Sequence, residues 1–339
     1  MHAAIDEDTQ GAASALAPRA GGIRQRLRRL LAPPTIVLAY HRVVPEVGRD
    51  VNQLAVSSAN FAAQLRWLRD FAHPMSAEQF VARVNTRAWP ELAVDARPRV
   101  LITFDDGYAD NVQFAMPELD RLGLHALLFV TTAAAGTDAP YWWDALERIV
   151  YDARDGGPVA WPTPAGERLP ADTPAREIYA LWHSRLKTAP AAARQQQLVE
   201  LASAVGGNST DYSQARPATW PQLATWRDAG HALGAHTRTH PQLSACSDDE
   251  VHAEIVGARE DLQHHLGVQA ECIAYPFGTR ADFDLRAERE AAAAGFVCGF
   301  ANWPGNVRWA RSLWALPRFL MRDWPADEFA RRFQTWCAV

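Results

Sequence analysis

Val100 to Val130 reads VLITFDDGYADNVQFAMPELDRLGLHALLFV, and it holds one period of the pattern that sets the fold. The apolar run Val100 to Phe104 has the length and composition of a buried strand. A helix is expected from Asn111 to Arg121, and a second strand from Ala126 to Val130. Upstream, Thr35 to Tyr40 repeats the strand signal, and Phe61, Leu65 and Leu68 mark a helix that Ser58 or Asn60 would cap. The rhythm breaks from about 137 to 216, through Pro140-Tyr141-Trp142-Trp143 and a Pro- and Ala-rich stretch, which reads as a mostly helical insertion. It then resumes with a helix at Trp220 to Asp228, a strand at Ala232 to Ala235 and a helix at Ser247 to Leu266. Strand Cys272 to Tyr275, helix Phe283 to Ala294 and strand Phe296 to Phe300 follow. Strands alternating with helices predict an α/β fold on a parallel sheet, with enough units for a closed or nearly closed barrel over residues 35–339.

Composition narrows the class. With 339 residues, 48% hydrophobic and 22% charged, and a net charge of -5, the chain is neither disordered, collagenous nor membrane-spanning. Lys187 is its one lysine, which leaves little scope for Schiff-base chemistry, and no glycine precedes it as a phosphate-binding loop requires. The acidic balance argues against a general nucleic-acid binder. Cys246, Cys272, Cys298 and Cys337 form no C-x-x-C pair and read as small buried hydrophobes. Residues 1–34 read as a disordered lead-in followed by a basic amphipathic segment. There Ile23, Leu27, Leu30 and Leu31 lie opposite four arginines, a face suited to packing on its own domain or to an anionic membrane surface. The N-terminus shows no signal-peptide pattern, so a cytoplasmic protein is expected, with peripheral contact at the inner membrane face through 23–31 as an option.

Four strand ends carry chemistry. Asp105 and Asp106 follow the strand ending at Phe104, and both can serve one site only if the chain turns there, which Gly107 allows. A plain Asp-Asp-Gly turn is the alternative. His236 and His240 lie four apart after Ala235 and can converge on an ion from a helical turn or a tight loop. With Asp106 they offer two nitrogens and one oxygen, the three-ligand set of a catalytic zinc site. Tyr275-Pro276-Phe277-Gly278 would turn backbone N–H groups toward the same end, or be a turn only. His41, at the end of the first strand, falls at that end too.

Thr103 to Gly107, His236 to His240 and Tyr275 to Gly278 resemble the motifs of the polysaccharide deacetylase family, also known as carbohydrate esterase family 4 or the NodB-homology domain. The resemblance covers roughly residues 35 to 320 apart from the insertion. It implies an irregular (β/α)7 barrel and metal-dependent removal of N-acetyl groups from sugars. Residue by residue, it makes Asp106, His236 and His240 the metal ligands and Asp105 the general base. Zn2+ is the expected ion, with Co2+ or Ni2+ as alternatives. Two departures stand out. Ala274 occupies the place of an arginine that orients the base in many members, and Leu316-Pro317-Arg318 stands where many have Leu-x-His. The chain is similar to a subgroup whose acid histidine lies on an N-terminal strand, which makes His41 the expected acid. Arg318 or Arg280 is the expected replacement for the arginine. The expected oxyanion and substrate contacts are Tyr275, Pro276 and Phe277, with Trp142, Trp143 and Trp303 as a sugar-stacking rim.

The expected partner is an N-acetylated sugar, nucleotide- or lipid-linked, with N-formyl and other acyl amides as alternatives. Rival readings are an inactive glycan-binding protein on the same barrel, and a glycosidase using Asp105 with a second acid, which leaves both histidines idle. A serine hydrolase is not expected, since no G-x-S-x-G occurs.

Overall fold

The computed structural model of the protein describes residues 33–86, 97–155, 160–206 and 215–338. The lead-in and the basic segment Ile23 to Leu31 expected from the sequence lie outside the described residues. The chain divides into two units, a larger one of Pro33–Glu91, Arg97–Tyr141 and Tyr212–Val339, and a smaller one centred on Trp142–Asp211.

The larger unit begins with β1 (Thr35–Tyr40), β2 (Arg42–Val44), β3 (Ala55–Ser57), α1 (Ser58–Phe71), β4 (His73–Met75), α2 (Ala77–Thr86) and β5 (Arg99–Phe104). A π-helical turn, Asn111–Ala115, leads into α3 (Met116–Leu122) and then β6 (Ala126–Val130). The smaller unit contributes α4 (Trp142–Asp155), α5 (Ala175–Lys187) and α6 (Ala191–Ala204). The chain returns through α7 (Trp220–Asp228), β7 (Ala232–Ala235), α8 (Asp248–Leu266), β8 (Cys272–Ala274), α9 (Leu285–Ala293), β9 (Cys298–Phe300), β10 (Phe319–Leu320) and α10 (Ala326–Trp336).

The main sheet runs β10-β1-β5-β6-β7-β8-β9, with β4 also on β5, and its pairs are all parallel. Every residue of β1, β5 and β6 is buried, which is why these strands read as unbroken apolar runs instead of alternating ones. Alternate side chains serve two cores. Ile36, Leu38, Tyr40, Val100, Ile102 and Phe104 pack with Phe61, Leu65 and Leu68 of α1, whereas Val37, Leu101, Leu127 and Phe129 pack with Phe80, Val81 and Val84 of α2. Each such fully buried side chain contributes about 1.5–3 kcal/mol.

The sheet curls into a half-barrel, the irregular (β/α)7 form expected. Its edges are linked by one stretch: Leu316 N–H donates to Gly299 O at 2.8 Å and Ala301 N–H to Leu316 O at 2.9 Å, after which Phe319 pairs with Leu38 on β1. This stretch carries Arg318 from one edge of the sheet to the other.

Local details differ from expectation. The cap of α1 is Ser57, whose Oγ accepts from Asn60 N–H at 3.3 Å; Ser58 is already helical and Asn60 is the donor. Strand β9 starts at Cys298, because Phe296 N–H still closes the preceding helix on Ala291 O. Cys272 and Cys298 are buried neighbours on β8 and β9, while Cys246 and Cys337 are half-buried. No described helix is long and apolar enough to cross a membrane.

Candidate active site

At the end of β5 the ladder continues one residue, with Asp105 N–H on Tyr40 O at 2.9 Å, and then the chain leaves the sheet. Asp106 has φ 74 and Gly107 φ 86, so the two adjacent carboxylates need not point to opposite faces of a strand. Both are buried. Arg318 grips Asp105 with a fork, Nη1 to Oδ1 at 2.6 Å and Nη2 to Oδ2 at 2.7 Å. Its Nε donates to Ala301 O at 2.9 Å and its Nη1 lies 3.3 Å from Thr103 Oγ1, so the guanidinium is fixed from several sides. Burial alone would raise the Asp105 carboxyl, but the charges of Arg318 and His236 and the Arg318 hydrogen bonds hold it below the usual range. Asp105 therefore stays an ionised proton acceptor. The other arginine considered, Arg280, lies over the Trp303 ring at 4.7 Å.

After β7, His236 N–H extends the ladder to Val130 O at 2.9 Å. A tight loop follows, with Thr237 at φ 62 and His240 at φ 57. A branched residue in this region costs about 1–3 kcal/mol, and the surroundings impose it. Thr237 Oγ1 accepts from His240 N–H at 3.2 Å, and Glu254 of α8 accepts from the N–H groups of Arg238 and Thr239 at 2.8 Å each. Thr237 O also accepts from Thr132 N–H at 3.1 Å. The histidines thus converge from a loop, not from a helical turn.

His236 Nδ1 lies 2.7 Å from Ala274 O, so Nδ1 carries the proton and Nε2 presents its lone pair. His236 Nε2 and His240 Nε2 each stand 3.4 Å from Asp106 Oδ1. Two donors at ~2.1 Å from one tetrahedral ion are themselves ~3.4 Å apart, so this spacing fits a shared ion better than a short hydrogen bond. The three donors, buried and within 4.8 Å of one another, are chemically suited to a divalent metal. Burial would raise Asp106 too, but contacts with His236 and His240 keep it well below the usual carboxylate range. Tyr141 Oη donates to the Asp106 carbonyl at 2.6 Å and pins the turn.

His41, 9% exposed, places Nε2 at 3.9 Å from Asp105 Oδ2. Burial lowers its pKa, against the opposing pull of Asp106 and Asp105. Phe277, at φ 60, sets its ring edge-on to His240 with centroids 4.7 Å apart. Gly278 brings the turn so close to Asn302 that an added Cβ would stand 2.7 Å from its backbone N.

Tyr275 stacks on Phe283 at 4.2 Å, and Phe283 on Trp303 at 5.8 Å. Trp303 is therefore half-buried in a stack, with Phe283 on its ring and Arg280 over it. Trp142 and Trp143 lie on α4 and are buried, Trp142 packing on His183 at 4.9 Å, so neither offers the open indole face that a stacking rim requires.

Gly299 leaves room for this arrangement, since a Cβ there would meet Tyr275 Oη at 2.6 Å and Trp314 O at 2.8 Å. Gly299→Ala is accordingly expected to destabilise by about 1–3 kcal/mol, read as a lower denaturant midpoint at unchanged slope.

Sequence reasoning passed over Thr103, Thr237, Glu254, Tyr141, Asp110 and Asn111. Only the last two carried a local signal, being polar residues one helical turn beyond Asp106 that end up buried.

A parallel half-barrel with a buried Asp-His-His set and an arginine-held aspartate at its strand ends defines a class of hydrolase-like barrels. The chain belongs to the polysaccharide deacetylase family, whose profile matches residues 94–160 and 192–298. It is 32% identical over 103 residues to "Putative polysaccharide deacetylase YxkH" of Bacillus subtilis (strain 168), covering 30% of this chain and 33% of that protein's length. Among solved structures it is similar to the Streptococcus pyogenes deacetylase PplD in complex with acetate, with TM-score 0.58 and 18% identity, over 89% of this chain and 98% of that one. IcaB from Ammonifex degensii gives TM-score 0.58 and 17% identity, over 91% and 98%. At these identities the likeness establishes the shared fold.

Proposed function

We propose that the protein is a metal-dependent N-deacetylase that hydrolyses the acetamido group of an amino sugar and releases acetate. The observation that carries this reading is the Arg318-held Asp105 directly beside the Asp106, His236 and His240 donor set. PplD, a deacetylase with acetate bound, shares the fold and supports the reading.

Asp106 Oδ1 and the two Nε2 atoms would hold the ion, Zn2+ first, with Co2+ or Ni2+ as alternatives. Bound there, it would supply Lewis-acid chemistry to a water and to the amide carbonyl. Asp105 takes the proton from the attacking water as its oxygen bonds to the carbonyl carbon. The 3.9 Å gap between Asp105 and His41 gives that proton a short route to the imidazole. His41 then delivers it to the amine nitrogen as the C–N bond breaks, leaving acetate and a free amino sugar. Burial makes the His41 imidazolium a readier donor than a solvated one.

Acetate release should be measured on nucleotide-linked, lipid-linked and oligomeric N-acetyl sugars, with N-formyl counterparts in parallel, before and after chelation. We expect activity on an N-acetyl substrate that chelation abolishes and Zn2+ restores. Metal-loaded protein that binds these sugars but releases neither acetate nor formate would establish the glycan-binding alternative instead. His41→Ala is expected to lose about 10²- to 10⁴-fold on the amide while losing far less on para-nitrophenyl acetate, whose leaving group departs without protonation.

A further inference from the structure

We propose that Asp110 and Asn111 are positioning residues for His41, forming a backbone clamp that sets the imidazole beside Asp105. The proposal rests on the reading of His41 as the acid of the deacetylation.

The imidazole has no anchor of its own. His41 is 9% exposed, its Nδ1 has no hydrogen-bond partner among the described residues, and its Nε2 is 3.9 Å from the nearest carboxylate oxygen of Asp105. Its placement must therefore come from the main chain. On one side, Tyr40 is tied to β5 through Asp105 N–H. Beyond that point three consecutive residues are gripped by two neighbours. Asn111 Nδ2 donates to His41 O at 2.7 Å, Arg42 Nε donates to Asp110 Oδ2 at 2.8 Å, and Val43 N–H reaches Asp110 Oδ1 at 3.4 Å. Asn111 Nδ2 also donates to Asp110 Oδ1 at 3.1 Å, which joins the two side chains into one unit.

The clamp carries a cost that packing alone would not retain. Asn111 is fully buried and its Oδ1 has no partner among the described residues. Burial raises the Asp110 carboxyl to about 6 despite Arg42 beside it. Local costs of this kind persist where geometry is needed for function. The position is also fitting, because Asp110 precedes and Asn111 opens the π-helical turn that follows the paired aspartates after a short loop. One short segment thus supplies the base, a ligand and the grip on the acid.

The test is a double-mutant cycle of Asn111→Ala and His41→Ala, assayed on an N-acetyl amino sugar and on para-nitrophenyl acetate, with metal content measured for each variant. Asn111→Ala is expected to keep its metal, lower kcat on the amide by about 10- to 100-fold with KM little changed, and spare the aryl ester. In the His41→Ala background the same change should cost less than about threefold, because it acts through a residue already removed. Equal losses on both substrates, additive losses in the cycle, or full amide activity in Asn111→Ala would overturn the clamp. Should Asn111→Ala fail to fold, Arg42→Gln decides, since that side chain is 17% exposed and its loss opens the clamp from outside; the same selective loss is expected. A parent protein that releases no acetate would sink the underlying reading. A selective loss in His41→Ala that neither clamp variant shares would sink the clamp alone.

Discussion

Asp105→Asn is expected to bind metal as the parent does and to lose amide hydrolysis by about 10²- to 10⁴-fold. The amide nitrogen of asparagine cannot take a proton from water, while the donor set of Asp106, His236 and His240 is left intact. Asp106→Ala is its counterpart. It removes the one oxygen of the set, to which both Nε2 atoms stand at 3.4 Å, so metal content and activity should fall together. Metal analysis and acetate release on the two purified variants separate base from ligand. A fully active Asp105→Asn protein would remove Asp105 from the mechanism.

The second large effect is at Arg318. Arg318 is 1% exposed and supplies the paired charge for Asp105, itself 3% exposed, with the Phe129 and Phe300 rings 5.6 and 5.9 Å from the arginine Cζ. Arg318→Met keeps the apolar packing and leaves Asp105 buried and unpaired. Breaking a buried pair in this way costs about 3–5 kcal/mol. The pH dependence gives the sign. In the parent the Asp105 pKa is depressed, so the pair stabilises above the unfolded carboxylate value, near ~3.9, and that contribution fades as pH falls. In Arg318→Met burial is no longer opposed by the guanidinium, the folded pKa rises, and stability is lost as pH rises through it. The gap between parent and variant in urea melts should therefore be larger at neutral pH than near pH ~4. A gap independent of pH would mean that Arg318 acts through packing alone.

Much of the site was legible because its signals are local. An apolar run that ends in Asp105-Asp106-Gly107, in His236 or in Tyr275-Pro276 announces both a strand and the end of that strand. In a parallel sheet those ends gather on one side. The three-residue strands β2, β3 and β4 and the two-residue β10 are too short for any periodicity to show. For the tryptophans, residue type and a position just past a strand end do not decide the role. Aromatic rings serve equally as core and as sugar platforms, and only packing separates the two: Trp142 lies buried against His183, and Trp303 completes a stack begun by Tyr275.

By itself, the order of residues determined the parallel α/β architecture, the four strand ends and the types of side chain set on them, because hydrophobic period and Gly-Pro turns act over a few residues. The choice between Arg318 and Arg280, and the grip of Asn111 on His41, belonged to tertiary structure. Arg318 meets Asp105 across 213 positions of chain, and Asn111 meets His41 across 70. No local pattern reports which two segments a curled sheet will bring edge to edge. That is decided by β10 docking on β1 and by the burial that makes a forked guanidinium the workable partner for a carboxylate sunk in the protein.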